Sequence, residues 1–241
     1  MLKNYVLGAL LFLSSGPSIA ELPSMRPFAT ITAGIDFIHV GQSKTVSLIA
    51  PFDNFYASDS SYKSSGSFGL AGGLEKNLSE RFFWQLGVAG FYNTSMTTSG
   101  NVWQFGLPEF NNFHYKYHIQ SSRAVAIAKI LGTFKQVIHP YISGEIGAAF
   151  NKASDYHETP LIREAIPIMP FKSHTQSAFS WGIGAGFDMD INPHFRLGIG
   201  YQFVDLGKAT LGLSPTQTTN SRLGISNLYD NQIRIQLSAL I

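Results

Sequence analysis

The chain has no cysteine, so no disulfide staples the fold even in a compartment that would allow one. Charge is scarce as well: Asp, Glu, Lys and Arg make up 13% of the 241 residues, about half the share usual in a soluble domain. A surface that faces lipid accounts for such a deficit, and 17 basic side chains against 15 acidic ones argue against nucleic acid as a partner. Long apolar runs are missing too. The longest, Tyr5 to Leu13, is stopped by Ser14, Ser15, Gly16 and Pro17, whereas a helix that crosses a membrane needs about 20 apolar residues.

That short run has another use. Lys3 gives a positive n-region, Tyr5 to Leu13 an apolar h-region, and Ser18-Ile19-Ala20 a small-x-small cleavage site, the pattern of a secretory signal peptide over residues 1–20. The mature chain is then expected to begin at Glu21 and to form a single domain over residues 21–241. Removing Lys3 leaves 16 basic against 15 acidic side chains.

What the chain has in quantity is period-two alternation, together with 23 glycines and 13% aromatics. Eight stretches read as strands: about Phe28–Val40, Ser65–Lys76, Phe82–Asn93, His114–Leu131, Tyr141–Asn151, Ser177–Ile191, Phe195–Asp205 and Asn231–Ile241. In the sixth, Phe179, Trp181, Ile183, Ala185, Phe187 and Met189 alternate with Ser180, Gly182, Gly184, Gly186, Asp188 and Asp190. Connections alternate between long polar loops and short turns at Asn77–Glu80, Phe134–Pro140 and Asn192–His194. Pro160, Pro167 and Pro170 mark the third long loop, Lys152–Thr175, as irregular. The rhythm is that of an all-β, eight-stranded, antiparallel up-and-down transmembrane β-barrel in the outer membrane. Both termini are expected on the short-turn, periplasmic side and the long loops outside the cell.

The fourth strand breaks the pattern. Its early even positions are polar (Lys116, His118, Gln120), while its later charges sit at odd positions (Arg123, Lys129). A bulge near Ser121 and Ser122 would shift the parity by one and turn both sets inward, sparing about 2–4 kcal/mol for a charge facing mid-bilayer.

Eight strands enclose an interior that side chains fill. The inward set contains Asp36, Glu75, Glu145 and Asp188 against Arg123, Lys129, Arg196 and Arg234. By height, Arg123, Glu145 and Arg234 fall near mid-barrel, and Glu75 with Lys129 and Asp188 with Arg196 near the turn-side rim. An ionic plug of paired charges is one reading and a set of separately hydrated lumen charges the other. Inward glycines of the second, sixth and seventh strands are expected to make room for the long arginines.

The segment His139-Pro140-Tyr141-Ile142-Ser143-Gly144-Glu145-Ile146-Gly147-Ala148, with Trp181-Gly182-Ile183-Gly184-Ala185-Gly186 and Phe195-Arg196-Leu197-Gly198-Ile199-Gly200-Tyr201, resembles the small eight-stranded outer-membrane β-barrels. That group includes OmpA-type membrane domains, OmpX-type and opacity-like surface proteins. The resemblance spans the mature chain and implies the architecture, with outer-membrane lipid and lipopolysaccharide around the barrel; the function expected is a structural or adhesion-like surface role through four extracellular loops above a plugged lumen. It also implies assembly machinery that reads the last strand, Ile233 to Ile241, although this chain ends in Ile241 where the family has an aromatic residue. Host or extracellular ligands are implied as partners. A passive channel for small or hydrophobic solutes, porin-like or OmpW-like, is the alternative.

Catalysis finds little support. His157, Ser173, His174 and Ser177 lie in loop sequence without a G-x-S-x-G elbow or an H-x-S pairing. No cofactor or metal is expected: His114 and His118, four apart on a strand, are separated by about 13 Å. Phe52, Phe55, Tyr56, Trp103, Phe105 and Phe110, with Phe113, Tyr115 and Tyr117, fall in or beside the first two loops. They read either as an aromatic girdle at the membrane surface or as an apolar binding patch.

Overall fold

The computed structural model describes residues 25–167, 171–215 and 217–241; the expected signal peptide, the mature start at Glu21 and Pro170 lie outside them. Among the described residues thirteen strands follow in chain order: β1 (Met25–Val40), β2 (Lys44–Ile49), β3 (Phe52–Ser58), β4 (Ser61–Asn77), β5 (Phe82–Asn93), β6 (Met96–Trp103), β7 (Asn111–Gly132), β8 (Ile138–Pro160), β9 (His174–Asn192), β10 (Phe195–Asp205), β11 (Ala209–Thr210), β12 (Gly224–Ile225) and β13 (Tyr229–Leu240). Eight of them, in the order β1-β4-β5-β7-β8-β9-β10-β13, pair antiparallel around a ring that closes through β13 on β1. Closure satisfies every ladder and leaves no edge to lipid. The fold is an eight-stranded antiparallel up-and-down barrel, and it crosses the membrane with strands.

Three tight connections lie at one end, the turn end. Ser79 Oγ accepts from the amides of Arg81 and Phe82, and Asn192 Oδ1 from those of His194 and Phe195 at 2.8 and 2.9 Å. Phe134 and Ile138 exchange backbone bonds around Lys135 and Gln136, both at positive φ. Such local side-chain and left-handed turns return the chain within a few residues and so set the strand register.

The other end, the loop end, differs from the sequence expectation. The first long loop contains the β2–β3 hairpin and the second contains β6; both join β7 in one continuous sheet. The third does not begin at Lys152, because β8 runs on to Pro160. β7 and β8 are 22 and 23 residues long, about twice what a tilted strand needs to cross a bilayer. Half of each strand therefore stands above the lipid.

That length explains the fourth expected strand. The bulge expected at Ser121 and Ser122 is absent: β7 pairs without interruption with β5 and β8 through this stretch, and odd residues face inward from Phe113 to Leu131. The parity stays constant while the solvent changes. In the lipid, Ala124, Ala126, Ala128 and Ile130 point outward and Arg123 and Lys129 inward; above it, His114, Lys116, His118 and Gln120 point outward to water while Phe113, Tyr115, Tyr117 and Ile119 turn inward. In its pairing with β8 a register shift lies between Lys116 and His118, opposite Asp155, whose φ is +58°, and in its pairing with β6 another lies between Val102 and Trp103.

Around the lipid-level half, Ile31, Ile35, Leu70, Val88, Ile142, Ile146, Ile183, Ile199 and Ile235 form an exposed apolar belt. Above it the inside is apolar instead. Ile38, Val40, Val46, Tyr56, Tyr115, Ile119 and Val204 pack with Leu206, Leu211, Leu223, Ile225 and Leu228 of the fourth loop into one buried cluster across the mouth.

Candidate functional site: a charged lumen beneath an apolar cap

The lumen side chains come from alternate positions of all eight ring strands, since period two sends every second residue inward. Arg123 Nε donates to Glu145 Oε1 at 2.8 Å, and Arg234 Nη1 lies 3.8 Å from Glu145 Oε2. Both guanidiniums cover the Phe91 ring, at 4.1 and 4.5 Å from its centroid, and both donate to Gln232 Oε1. Arg234 also donates to Gln202. Beside them Asp36 accepts from Ser67 Oγ at 2.7 Å and from Asn93 Nδ2.

A second layer lies nearer the turn end, with partners crossed relative to the height-matched expectation. Arg196, not Lys129, meets Glu75, at 2.8 Å; Lys129, not Arg196, meets Asp188, at 2.6 Å. The reason is position around the ring: strand height brought these groups level, but reach across the lumen chooses the partner. Arg196 further binds Asp190 at 2.8 Å, and His139 Nε2 closes the chain on Asp190 at 2.9 Å. Gln85 and Gln236 complete the carboxylates of Glu75 and Asp188. Phe83 lies under Arg196 and edge-on to His139, and Tyr141 lies under Lys129.

The inward glycines admit different neighbours from those expected. A Cβ on Gly69 would strike the Phe91 ring, one on Gly200 the Tyr141 hydroxyl, and one on Gly198 the Asp188 carboxylate. They accommodate rings and an acid; Arg123 and Arg234 lie over Phe91, and Lys129 over Tyr141. Between the two layers a cavity of about 70 Å³ remains, lined by Gln85, Lys129, Tyr141, Glu145, Gln202 and Arg234. That volume holds a few waters.

Sequence reasoning left out Asp190, His139, Asp230 and the amides Asn93, Gln202 and Gln232. Asp190 and Gln202 were already on inward positions by alternation. Asp230 falls one residue before the expected start of the last strand.

Of the loop aromatics, Phe52, Phe105 and Phe110 are 58%, 54% and 43% exposed and meet edge to face with centroids 5.7 and 5.8 Å apart. With Ile49 and Leu107 they form an apolar tip farthest from the lipid. Phe55 and Trp103 are half-buried against each other at 5.0 Å. Tyr56 does not belong to that surface: it is 1% exposed, inside the cap against Tyr115 and Phe171. Phe113, Tyr115 and Tyr117 are buried there too, so they form no girdle. Burial holds the Tyr115 hydroxyl up at about 12 and raises Tyr56 and Tyr117 further. His114 and His118 face outward, bonded to Asn101 and Thr97 of β6.

Comparison with known proteins follows the same lines. No curated protein sequence matches the chain. Among solved structures it is similar to Neisserial surface protein A (12% identity, 88% of this chain and 96% of that one, TM-score 0.44). It is similar also to outer membrane protein OprG from Pseudomonas aeruginosa (12%, 90% and 97%, TM-score 0.46) and to Ail, the attachment invasion locus protein of Yersinia pestis (13%, 89% and 98%, TM-score 0.37). A family model, the outer membrane protein beta-barrel domain, matches residues 28–238, which is most of the chain. A closed ring with a lipid-facing apolar belt, matched over that length, places the chain in the family of outer membrane protein β-barrel domains.

Proposed function

We propose that this protein is a sealed surface scaffold. Its loop end faces outside the cell, its termini lie at the periplasm, and it displays an apolar tip for contact with a ligand or a neighbouring surface, with no catalytic step of its own. The observation that carries the reading is the stacking of two seals in one lumen. The apolar cluster fills the mouth with side chains at 0% exposure, among them Ile38, Val40, Leu206 and Leu228, and the ion-paired layers fill the barrel below. Water and ions would have to cross both, and a dry apolar plug is a high barrier to any hydrated solute.

The tip of Phe52 at the start of β3, with Phe105 and Phe110 on two 3-10 turns between β6 and β7, supports a contact role, since exposed apolar clusters mark interaction surfaces. Lipid and lipopolysaccharide surround the apolar belt, and the assembly machinery reads Ile233 to Ile241 in this proposal. Single-channel recording of the refolded chain in a planar bilayer tests it, with and without a small hydrophobic solute. Silence in both conditions is the expected result. Discrete steps would overturn the sealed scaffold in favour of a passive channel.

A further inference from the structure

Two carboxylates meet where the barrel closes on itself. Asp36 of β1 and Asp230 of β13 are both 0% exposed, and both accept from the same nitrogen, Asn93 Nδ2, at 2.5 and 3.1 Å. Asp230 Oδ2 also accepts from Gln232 Nε2 at 2.5 Å, while its Oδ1 is buried with no hydrogen-bond partner. The charged groups facing the pair are Arg123 from β7, Glu145 from β8 and Arg234 from β13. The strands β4, β5 and β10 present the neutral Ser67, Asn93 and Val204, with Gly182 of β9 opposite Val204. Three buried carboxylates thus stand against two guanidiniums, and the guanidiniums are turned toward Glu145, Phe91 and the amides.

We propose that Asp36 and Asp230 carry one exchangeable proton for the pair, and that by leaving a single anion at the seam this proton keeps β1 paired with β13 beneath the cap. With both ionised, the cluster would carry an uncompensated negative charge buried from bulk solvent, and two like charges would share a single donor. One proton removes the excess, and the unpartnered Oδ1 of Asp230 is the oxygen left to carry it. The place gives the proton its effect. In the β1–β13 register Ile38 lies opposite Asp230 and Asp36 opposite Gln232, and Ile38 with Leu228 begins the apolar cap. Losing the proton puts two facing anions across the closing seam, directly under the cap floor. An acid that the fold holds protonated stabilises it while the proton is bound and withdraws that contribution as pH rises.

Infrared spectroscopy of the refolded full chain in detergent micelles reads the proton directly. At neutral pH a protonated-carboxyl C=O band is expected, absent in both Asp230→Asn and Asp36→Asn. The wild-type melting temperature is expected to fall by at least about 4 °C between about pH 5 and about pH 9, with a flatter profile in either variant. Should one variant fail to refold, the other removes the same like-charge pair and is read in the same way. No such band in the wild type, or an unchanged pH slope in the variants, overturns the proposal.

Discussion

Inside this barrel each charge is held by more than its ion-pair partner. Glu145 serves two arginines at once, so Glu145→Ala leaves Arg123 and Arg234 facing each other in a buried layer over one ring. Breaking a buried pair from one side costs about 3–5 kcal/mol, because the abandoned charge keeps its desolvation penalty. Urea unfolding in lipid vesicles should show a loss of that size, and Glu145→Gln, which keeps an acceptor, a smaller one. Gly200 tests packing rather than charge. A methyl there overlaps the Tyr141 hydroxyl and must push the ring off Lys129. Gly200→Ala should cost about 1–3 kcal/mol as overpacking does, and Tyr141→Leu in the same chain should recover part of it.

At the scale of a strand, β7 is the informative element. Its outward face passes from Ala126 in the lipid to His118 in water with no change of parity, so equal substitutions at these two positions should differ in cost. Ala126→Lys places an ammonium against lipid near mid-depth and should destabilise by about 2–4 kcal/mol. His118→Lys should stay within about 0.5 kcal/mol, as for an ordinary surface change. Equal losses at both positions in the same vesicle assay would place the bilayer edge elsewhere on the strand. The polar residues that made this strand look irregular in sequence are where β7 leaves the membrane. The expectation of a bulge treats the whole length as facing one solvent.

On the scale of the whole molecule, two interiors of opposite polarity are stacked in one ring, and they should fail under different stresses. The cap depends on neutral tyrosines. Tyr115 is held at about 12, against about 10 in an unfolded chain. Its contribution is present below about pH 10 and lost as pH rises through about 12. Tyrosinate absorbance should therefore appear late and together with loss of near-ultraviolet circular dichroism from the cap. Ionisation at the ordinary tyrosine pH with the signal intact would mean the cap is open to water.

Legibility from sequence followed how local each signal is. The turn at Asn192-Pro193-His194, the alternation of β5 and β10 and the inward placing of Arg123, Glu145 and Arg234 are set by neighbours within a few residues, and all could be read from the chain. The hairpin of β2 and β3, the strand β6 and the last third of β8 could not. Their polar, Pro- and Ser-containing stretches pair only because β7 extends above the lipid and offers them an edge.

Eight strands, the face that each turns to lipid apart from the loop-side half of β7, and the inward charges of the lower barrel follow from local pattern, because period two is a property of the extended backbone. Which arginine meets which acid, the place of Tyr56 in a buried cap rather than on a surface, and the meeting of Asp36 with Asp230 on Asn93 come from the closed ring alone. Those contacts join residues far apart in the chain across a closed ring, and ring geometry appears only once β13 has paired with β1.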